Sequence, residues 1–360
     1  MLHRLPLAAW FSIGAAVIGC AQLIHLGTNG WNPTVFLHVG ADFPARGRIE
    51  RDFPGLDAGP NLGHDGKYNY LVAREPRFWR ADPETLASLQ DPGYRYARPL
   101  YPLLAGLGGN ASPWGTLIGL ILVQTFAGGL CGAALASFAR THHLPTAFVS
   151  VNLANPGLFS SACLLTSDLL AHALALTAWN CFDRGRFRLG VVGFALSMLA
   201  KEYYALTPLA LTAAFAAQRQ WRNAVAVAIL PLVPIVAWKL ALLAEFGAGE
   251  GQRNLDWPGW GFAESMPGWV GFRMPVGWLG ISLVVGALAF AGNRRLPRQL
   301  RWACAVWSLL GLGASRLVWN DPTDLLRAIA PLGWLIAWAC FRRRGDSGTP
   351  NAAVTTATRR

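Results

Sequence analysis

The residues best equipped for chemistry lie between Gly63 and Pro102. One run reads Gly63-His64-Asp65-Gly66-Lys67-Tyr68, and a second reads Tyr94-Arg95-Tyr96-Ala97-Arg98-Pro99-Leu100-Tyr101-Pro102. Glycines at 63 and 66 let the backbone turn sharply and present the Asp65 carboxylate. At a half-desolvated interface such a carboxylate has a raised pKa and can take a proton as a general base. The competing structural role is a cap on a helix that begins at Gly66. His64 and Tyr68 flank Asp65 and join the candidate substrate-binding residues. Arg98 is suited to clamp a phosphate, and equally suited to snorkel from an apolar segment to the headgroup layer. Tyr94, Tyr96 and Tyr101 can donate phenol protons, or form an aromatic belt.

Further along, Lys201-Glu202 sits between two apolar runs, where charge is costly and usually functional. An ion pair that pins two helices is the structural alternative. Asp168, after Thr166 and Ser167, reads as the cap of a helix over 169–182. Asp321, Asp324 and Arg327 open the last apolar run; either acid can cap it, and Arg327 needs a carboxylate or an anionic ligand as partner. The seven histidines show no metal-ligand spacing, and HExxH, Walker and GxSxG motifs are absent. No metal ligands are assigned, although carboxylates leave a divalent metal open; no other cofactor is implied. The six cysteines, Cys20, Cys131, Cys163, Cys181, Cys304 and Cys340, all fall in or beside apolar runs. They read as small buried hydrophobes, not as a disulfide framework.

The elements that must position these groups are apolar. The 360 residues are 53% hydrophobic and 14% charged, against about 25% charged in soluble domains. Sixteen tryptophans suit a chain with many water–lipid boundaries. About ten hydrophobic segments are legible, at 6–27, 113–139, 144–164, 168–182, 188–200, 203–217, 224–246, 277–292, 302–319 and 325–341. The expected fold is therefore an all-α polytopic membrane bundle. The first segment is too long for a signal-peptide core and is read as an uncleaved helix. Several segments are short, and Pro145, Pro156 and Pro208 interrupt or border them, so broken helices are expected. The net charge of +12 is gathered in basic clusters at Arg140, Arg184/Arg186/Arg188, Arg219/Arg222, Arg294/Arg295/Arg298/Arg301 and Arg342/Arg343/Arg344. They recur at every second junction, which points to cytoplasmic loops and not to nucleic acid as a partner. Both termini are then cytoplasmic, and the candidate site residues fall together on the outer side.

The outer 28–112 loop is too long to be a simple connector. Asp82-Pro83-Glu84 predicts a helix start. Tyr68, Leu71 and Val72 predict a helix over 66–74, ended by Pro76 and lying on the membrane surface. A second outer loop, 247–275, carries Trp257, Trp260 and Trp269, with Trp278 just beyond, and reads as an interfacial cap over the site. Residues 1–344 form one domain in this reading, and 345–360 a polar, disordered tail.

With these residues in view, the pattern resembles the GT-C superfamily of membrane glycosyltransferases, in particular the PIG-V-like mannosyltransferases and related bacterial proteins. Asp65-Gly66-Lys67-Tyr68 stands in the place of the family's D-G-x-x-Y-type motif on the first outer loop. Pro99-Leu100-Tyr101-Pro102 stands in that of its Pro-x-Tyr-Pro run, and Ala73 and Asp168 also match. His64 replaces a usual Trp, and Ala97-Arg98 replaces an aromatic pair. The resemblance implies inverting transfer of a mannose-like hexose or a pentose from a polyprenyl-phosphate carrier. The acceptor would be a glycan, lipid or protein at the outer face of the cytoplasmic membrane. Asp65 would take the acceptor proton, and Arg98, Lys201 or Arg327 would steady the leaving phosphate. A transporter or flippase, and a non-catalytic glycolipid binder of the same fold, are the rival readings. A transporter would place ionisable residues such as Lys239 and Glu245 along a path at mid-membrane.

The orientation is directly measurable. In a cysteine-free background, an impermeant thiol reagent applied to intact cells is expected to label Asp57→Cys and to spare Arg140→Cys and Arg294→Cys. Labelling of all three would refute the assigned sidedness.

Overall fold

The computed structural model describes residues 5–59, 62–109, 112–247 and 255–342. The expected tail at 345–360, and Arg343 and Arg344 of the last basic cluster, lie outside these. Among the described residues the chain is helical, with isolated β-bridges and no strand. Four helices are long and apolar enough to cross a membrane: Leu7–Thr28, Pro113–Thr141, Trp221–Phe246 and Arg273–Gly292. Leu23, Leu122, Leu240 and Val285 on these helices are exposed. Bands of apolar side chain facing outward are costly in water and compatible with lipid.

The remaining apolar segments are shorter than ten full spans would require. The 144–164 segment divides into Thr146–Leu153 and Pro156–Cys163, because Asn155 caps a new helix with Pro156 in its first turn. The 302–319 segment divides into Arg298–Gly313 and Arg316–Asn320, and the 325–341 segment into Pro322–Ala328 and Ala330–Phe341. Pro208 does not break its helix; it lies near the start of Leu206–Ala217, where its missing N–H costs little. Cysteine burial also differs from expectation. Cys131 and Cys304 are buried, Cys163 and Cys181 are intermediate, and Cys20 and Cys340 are exposed; all are free thiols.

The first helix and Pro113–Thr141 are the central pair. A Cβ on Gly14 would come within 2.3 Å of the Gly128 carbonyl oxygen, so the helices meet backbone to backbone. The end of the long loop is itself a helix, Leu100–Gly109, which folds back on Pro113–Thr141. The sequence pattern puts this proline-rich stretch in the 28–112 loop, but a proline within the first turn of a helix is tolerated.

The rest of the loop is a packed cap. Phe36, Val39, Phe43, Ile49, Phe53, Tyr70 and Phe78 are buried together. Its predicted helices form: Gly66–Arg74, and Pro83–Ser88 with the Asp82 carboxylate accepting from the Glu84 N–H at 3.3 Å. Helix 66–74 does not lie on a surface, however. Gly66, Lys67, Tyr68, Tyr70, Leu71, Val72 and Ala73 are all buried, so it is the spine of the cap. Its start touches backbone. A Cβ on Gly66 would lie 2.5 Å from the Phe36 carbonyl oxygen and 3.1 Å from that of Leu164.

The described part of the second loop does not cover Asp65. Helix Trp260–Ser265 packs on the 298–320 region, Ser265 donates to the Arg316 carbonyl at 3.3 Å, and the Trp269 indole donates to the Trp319 carbonyl at 3.0 Å. Trp257 and Trp260 remain exposed.

Gly66→Ala is expected to force these carbonyls apart and to destabilise the protein by ~1–3 kcal/mol, the usual cost of overpacking. Thermal unfolding in detergent measures it. An unchanged midpoint would show that the contact is not a constraint.

Candidate functional site

The site is assembled on the turn at Leu164–Asp168, between helices Pro156–Cys163 and Asp168–Asp183. Three neighbours hold that turn. Gln124, from the Pro113–Thr141 helix, donates to the Thr166 carbonyl. The Ser161 hydroxyl donates to the same carbonyl at 3.1 Å and accepts the Leu169 N–H at 3.0 Å. Asn69, one turn along the cap helix from Asp65, donates to the Leu165 carbonyl at 2.7 Å. The close approach of Gly66 and the Asn69 bond together bring Asp65 beside Thr166 and Ser167, with which it lines one cleft.

Asp65 sits at the N-cap position of helix 66–74, yet its side chain caps nothing. Its Oδ1 accepts from Arg95 Nη1 at 2.9 Å. Arg95 comes from the one-turn helix Pro92–Arg95, which the Asp91 carboxylate opens by accepting the Tyr94 N–H at 3.0 Å. Its guanidinium lies 3.5 Å from the centre of the Tyr68 ring, at cation–π distance. Tyr68 donates to Gln90 at 2.8 Å and so is held as a floor for Arg95. Three residues on, Arg98 grips Glu202 with two parallel bonds of 2.9 Å and donates to the Tyr94 hydroxyl at 3.1 Å. Lys201 and Glu202 thus do not pair with each other. Lys201 Nζ lies 3.4 Å from Asp168 Oδ1.

Asp168 is not the helix cap expected of it: Ser167 holds the N-cap position and Asp168 is the first helical residue. Its side chain is 2% exposed, and its carboxylate meets Lys201, Arg327 Nη1 at 3.6 Å and the Tyr203 hydroxyl. Arg327 also pairs with Asp324. Four cations and four carboxylates therefore meet here, from five separated stretches of chain. Asp65, Tyr68, Asn69, Tyr94, Arg95, Arg98, Thr166, Ser167 and Lys201 line the cleft. Its free volume is about 20 Å³, roughly the room one water needs. A larger ligand must part these side chains.

The electrostatics reverse one expectation. Burial pushes the Asp65 carboxyl up, but Arg95, Lys201, Arg98 and Arg327 outweigh it and hold the group down at about 2. Burial likewise raises Glu202, and Arg98 overrides it, to about 2. Asp65 is therefore ionised in the free protein and not a raised-pKa base. Its proton affinity depends on where those cations are engaged.

Of the other candidates, Tyr101 is buried at the hairpin and donates to the Leu120 carbonyl at 3.0 Å, away from the cleft. His64 does not line the cleft: its backbone N–H donates to the His38 carbonyl at 3.0 Å, and its carbonyl accepts from Lys67 at 2.8 Å. Asp321 is not among the lining residues. Arg95 and Asn69 are site residues that the sequence reading passed over. Arg95 lies three residues before Arg98, and that spacing was the available signal. Among the described residues no group of three or more His, Cys, Asp or Glu is placed to hold a metal ion. Comparison with protein-family models, with curated proteins and with solved structures returns no match.

Two outcomes follow from this geometry. Arg98→Gln and Glu202→Gln are each expected to cost ~2 kcal/mol, below the range for fully buried pairs because Glu202 retains some exposure. The double variant should cost less than their sum, as a thermal double-mutant cycle measures. Both carboxyls have depressed folded-state values, so their contribution to stability is present above their unfolded values and lost in acid. The thermal midpoint should hold from pH 8 to 5 and fall as pH drops from about 4.5 towards 2. Asp65→Asn and Glu202→Gln should each flatten that fall.

Proposed function

We propose that this chain is a GT-C-like membrane glycosyltransferase. In this reading it transfers a sugar from a polyprenyl-phosphate carrier to an acceptor hydroxyl at the outer face of the cytoplasmic membrane. The short and broken helices complete a bundle of about ten segments around the four long ones. The supporting observation is that Asp65, freed from capping, shares a single cleft with Arg95, Arg98 and Lys201. A carboxylate beside convergent cations is what transfer from a phosphate-linked donor demands.

In the reaction, Asp65 takes the proton of the acceptor hydroxyl. The acceptor oxygen bonds to the sugar's anomeric carbon from the face opposite the phosphate, which inverts that carbon. The bond from that carbon to the phosphate oxygen breaks, and its electron pair leaves on the lipid phosphate. In this reading Arg95, Arg98 and Lys201 meet that charge, and Arg327, which shares Asp168 with Lys201, supports it. The transporter reading draws less support. Lys239 and Glu245 are exposed on the Leu232–Phe246 helix and do not line the cleft.

Asp65→Asn is expected to lower sugar transfer by ~10²-fold or more, the scale of a lost general base, with folding intact. Mass spectrometry of cell-envelope glycans from wild-type and variant cells reads this. Unchanged glycans in the variant would defeat the catalytic reading and leave the glycolipid-binding one.

A further inference from the structure

The cleft presents a difficulty that the proposed function does not resolve. Its cations are already occupied by carboxylates, and its free volume is about that of one water. A phosphate can enter only where an internal ion pair opens, so the pairs must be compared.

Arg98 is held most firmly. It meets both oxygens of Glu202 in a fork-to-fork pair and adds a bond to Tyr94. Arg327 is divided between Asp168 and Asp324, and Lys201 faces the buried Asp168. Arg95 differs. It makes one carboxylate contact, a single bond from Nη1, to an Asp65 side chain that is 34% exposed. Arg95 itself is 10% exposed, and its Nε is buried without a hydrogen-bond partner, as are Nε and Nη1 of Arg327, whose Nη1 nevertheless faces Asp168 at 3.6 Å. A buried donor left unmet is uncommon and costly. Its guanidinium rests on the Tyr68 ring, which secures its face and leaves its edge to accept an anion.

A one-point contact to a part-exposed carboxylate is weaker than the two-bond fork of Arg98, whereas a phosphate can take two guanidinium donors at once. We infer that a phosphate group binds this cleft by displacing Asp65 from Arg95, so that Arg95 is a positioning residue shared between the internal carboxylate and the ligand phosphate. The inference rests on the proposed function and specifies how its donor is received. It also gives the site an order of events. While Asp65 is paired with Arg95, its carboxylate is a poor proton acceptor. Once Arg95 turns to the phosphate, Asp65 loses its closest cation and gains an anionic neighbour, and both changes increase its basicity. The base is therefore armed by donor binding.

The test is binding, not turnover. Dissociation constants for farnesyl phosphate and for inorganic phosphate are measured at pH 7 on purified wild type, Asp65→Asn, Arg95→Gln and the double variant. Thermal midpoints confirm that each is folded. Asp65→Asn is expected to bind farnesyl phosphate about 5-fold or more tightly than wild type, because the competing charge is gone. Arg95→Gln should weaken binding about 10-fold or more. The double variant should match Arg95→Gln, since Asp65 has nothing left to compete for. Farnesyl phosphate should bind more tightly than inorganic phosphate if the phosphate arrives on a lipid; equal affinities would overturn the lipid source. Unchanged or weaker binding by folded Asp65→Asn would overturn the exchange and leave the proposed function standing. Failure of folded wild type to bind either probe would overturn both. The full pattern of binding without any sugar transfer would sustain the exchange and defeat the transferase.

Discussion

A carboxylate taken out of water must be met by cations and hydrogen bonds, or it will not stay ionised. Asp168 is that carboxylate here, and the site is arranged around its needs. Lys201 and the Tyr203 hydroxyl come to it from one other stretch of chain, and Arg327 from a second. Breaking such a buried set leaves a charge uncompensated, at a cost of several kcal/mol. The arrangement therefore fixes the junction after helix Phe187–Ala200 and the Pro322–Ala328 helix against the start of Asp168–Asp183. The cleft is the exposed edge of this cluster. Arg95 and Arg98 face it from the loop side; Arg95 pairs with Asp65 of the same loop, and Arg98 with Glu202 of the junction after Phe187–Ala200.

Backbone contact does the rest of the positioning. The turn before Asp168 is tied to the Pro113–Thr141 helix by Gln124 and to the cap by Asn69. The cap helix comes close because Gly66 has no side chain to hold it off. Here glycine matters less for its torsional freedom than for the space its missing Cβ leaves beside three carbonyls. The same device joins the first helix to Pro113–Thr141 at Gly14. Polar site and apolar scaffold thus share a constraint: the segments must approach to backbone distance before the charged groups can meet.

This explains why a chain so poor in charge concentrates it. Isolated charges among apolar helices would be expensive, whereas paired ones are tolerable and can be redirected to a ligand. The cleft is closed by its own salt bridges, so its chemistry depends on which pairs open and in what sequence. Burial alone would have raised Asp65; the cations reverse the sign. That reversal depends on neighbours thirty or more positions away, and no local pattern could have supplied it.

Local physics was legible in the chain. Apolar runs of about 20 residues marked the long helices, the spacing of Tyr68, Leu71 and Val72 marked the cap helix Gly66–Arg74, and Asp82-Pro83-Glu84 marked the start of Pro83–Ser88. Asp65, Arg98, Lys201, Glu202, Asp168 and Arg327 stood out by type and setting, since charge beside apolar sequence is conspicuous wherever it lies. Their partners were not legible, because pairing depends on distance in space. The sequence placed Lys201 beside Glu202; the fold gave one to Asp168 and the other to Arg98. Arg95 looked like one arginine among many until Tyr68 and Asp65 closed on it. Tyr101 looked like a site residue until the hairpin buried it. The residue types carried the capacity for charge chemistry, and only tertiary packing decided which charges meet and which tyrosines reach the cleft.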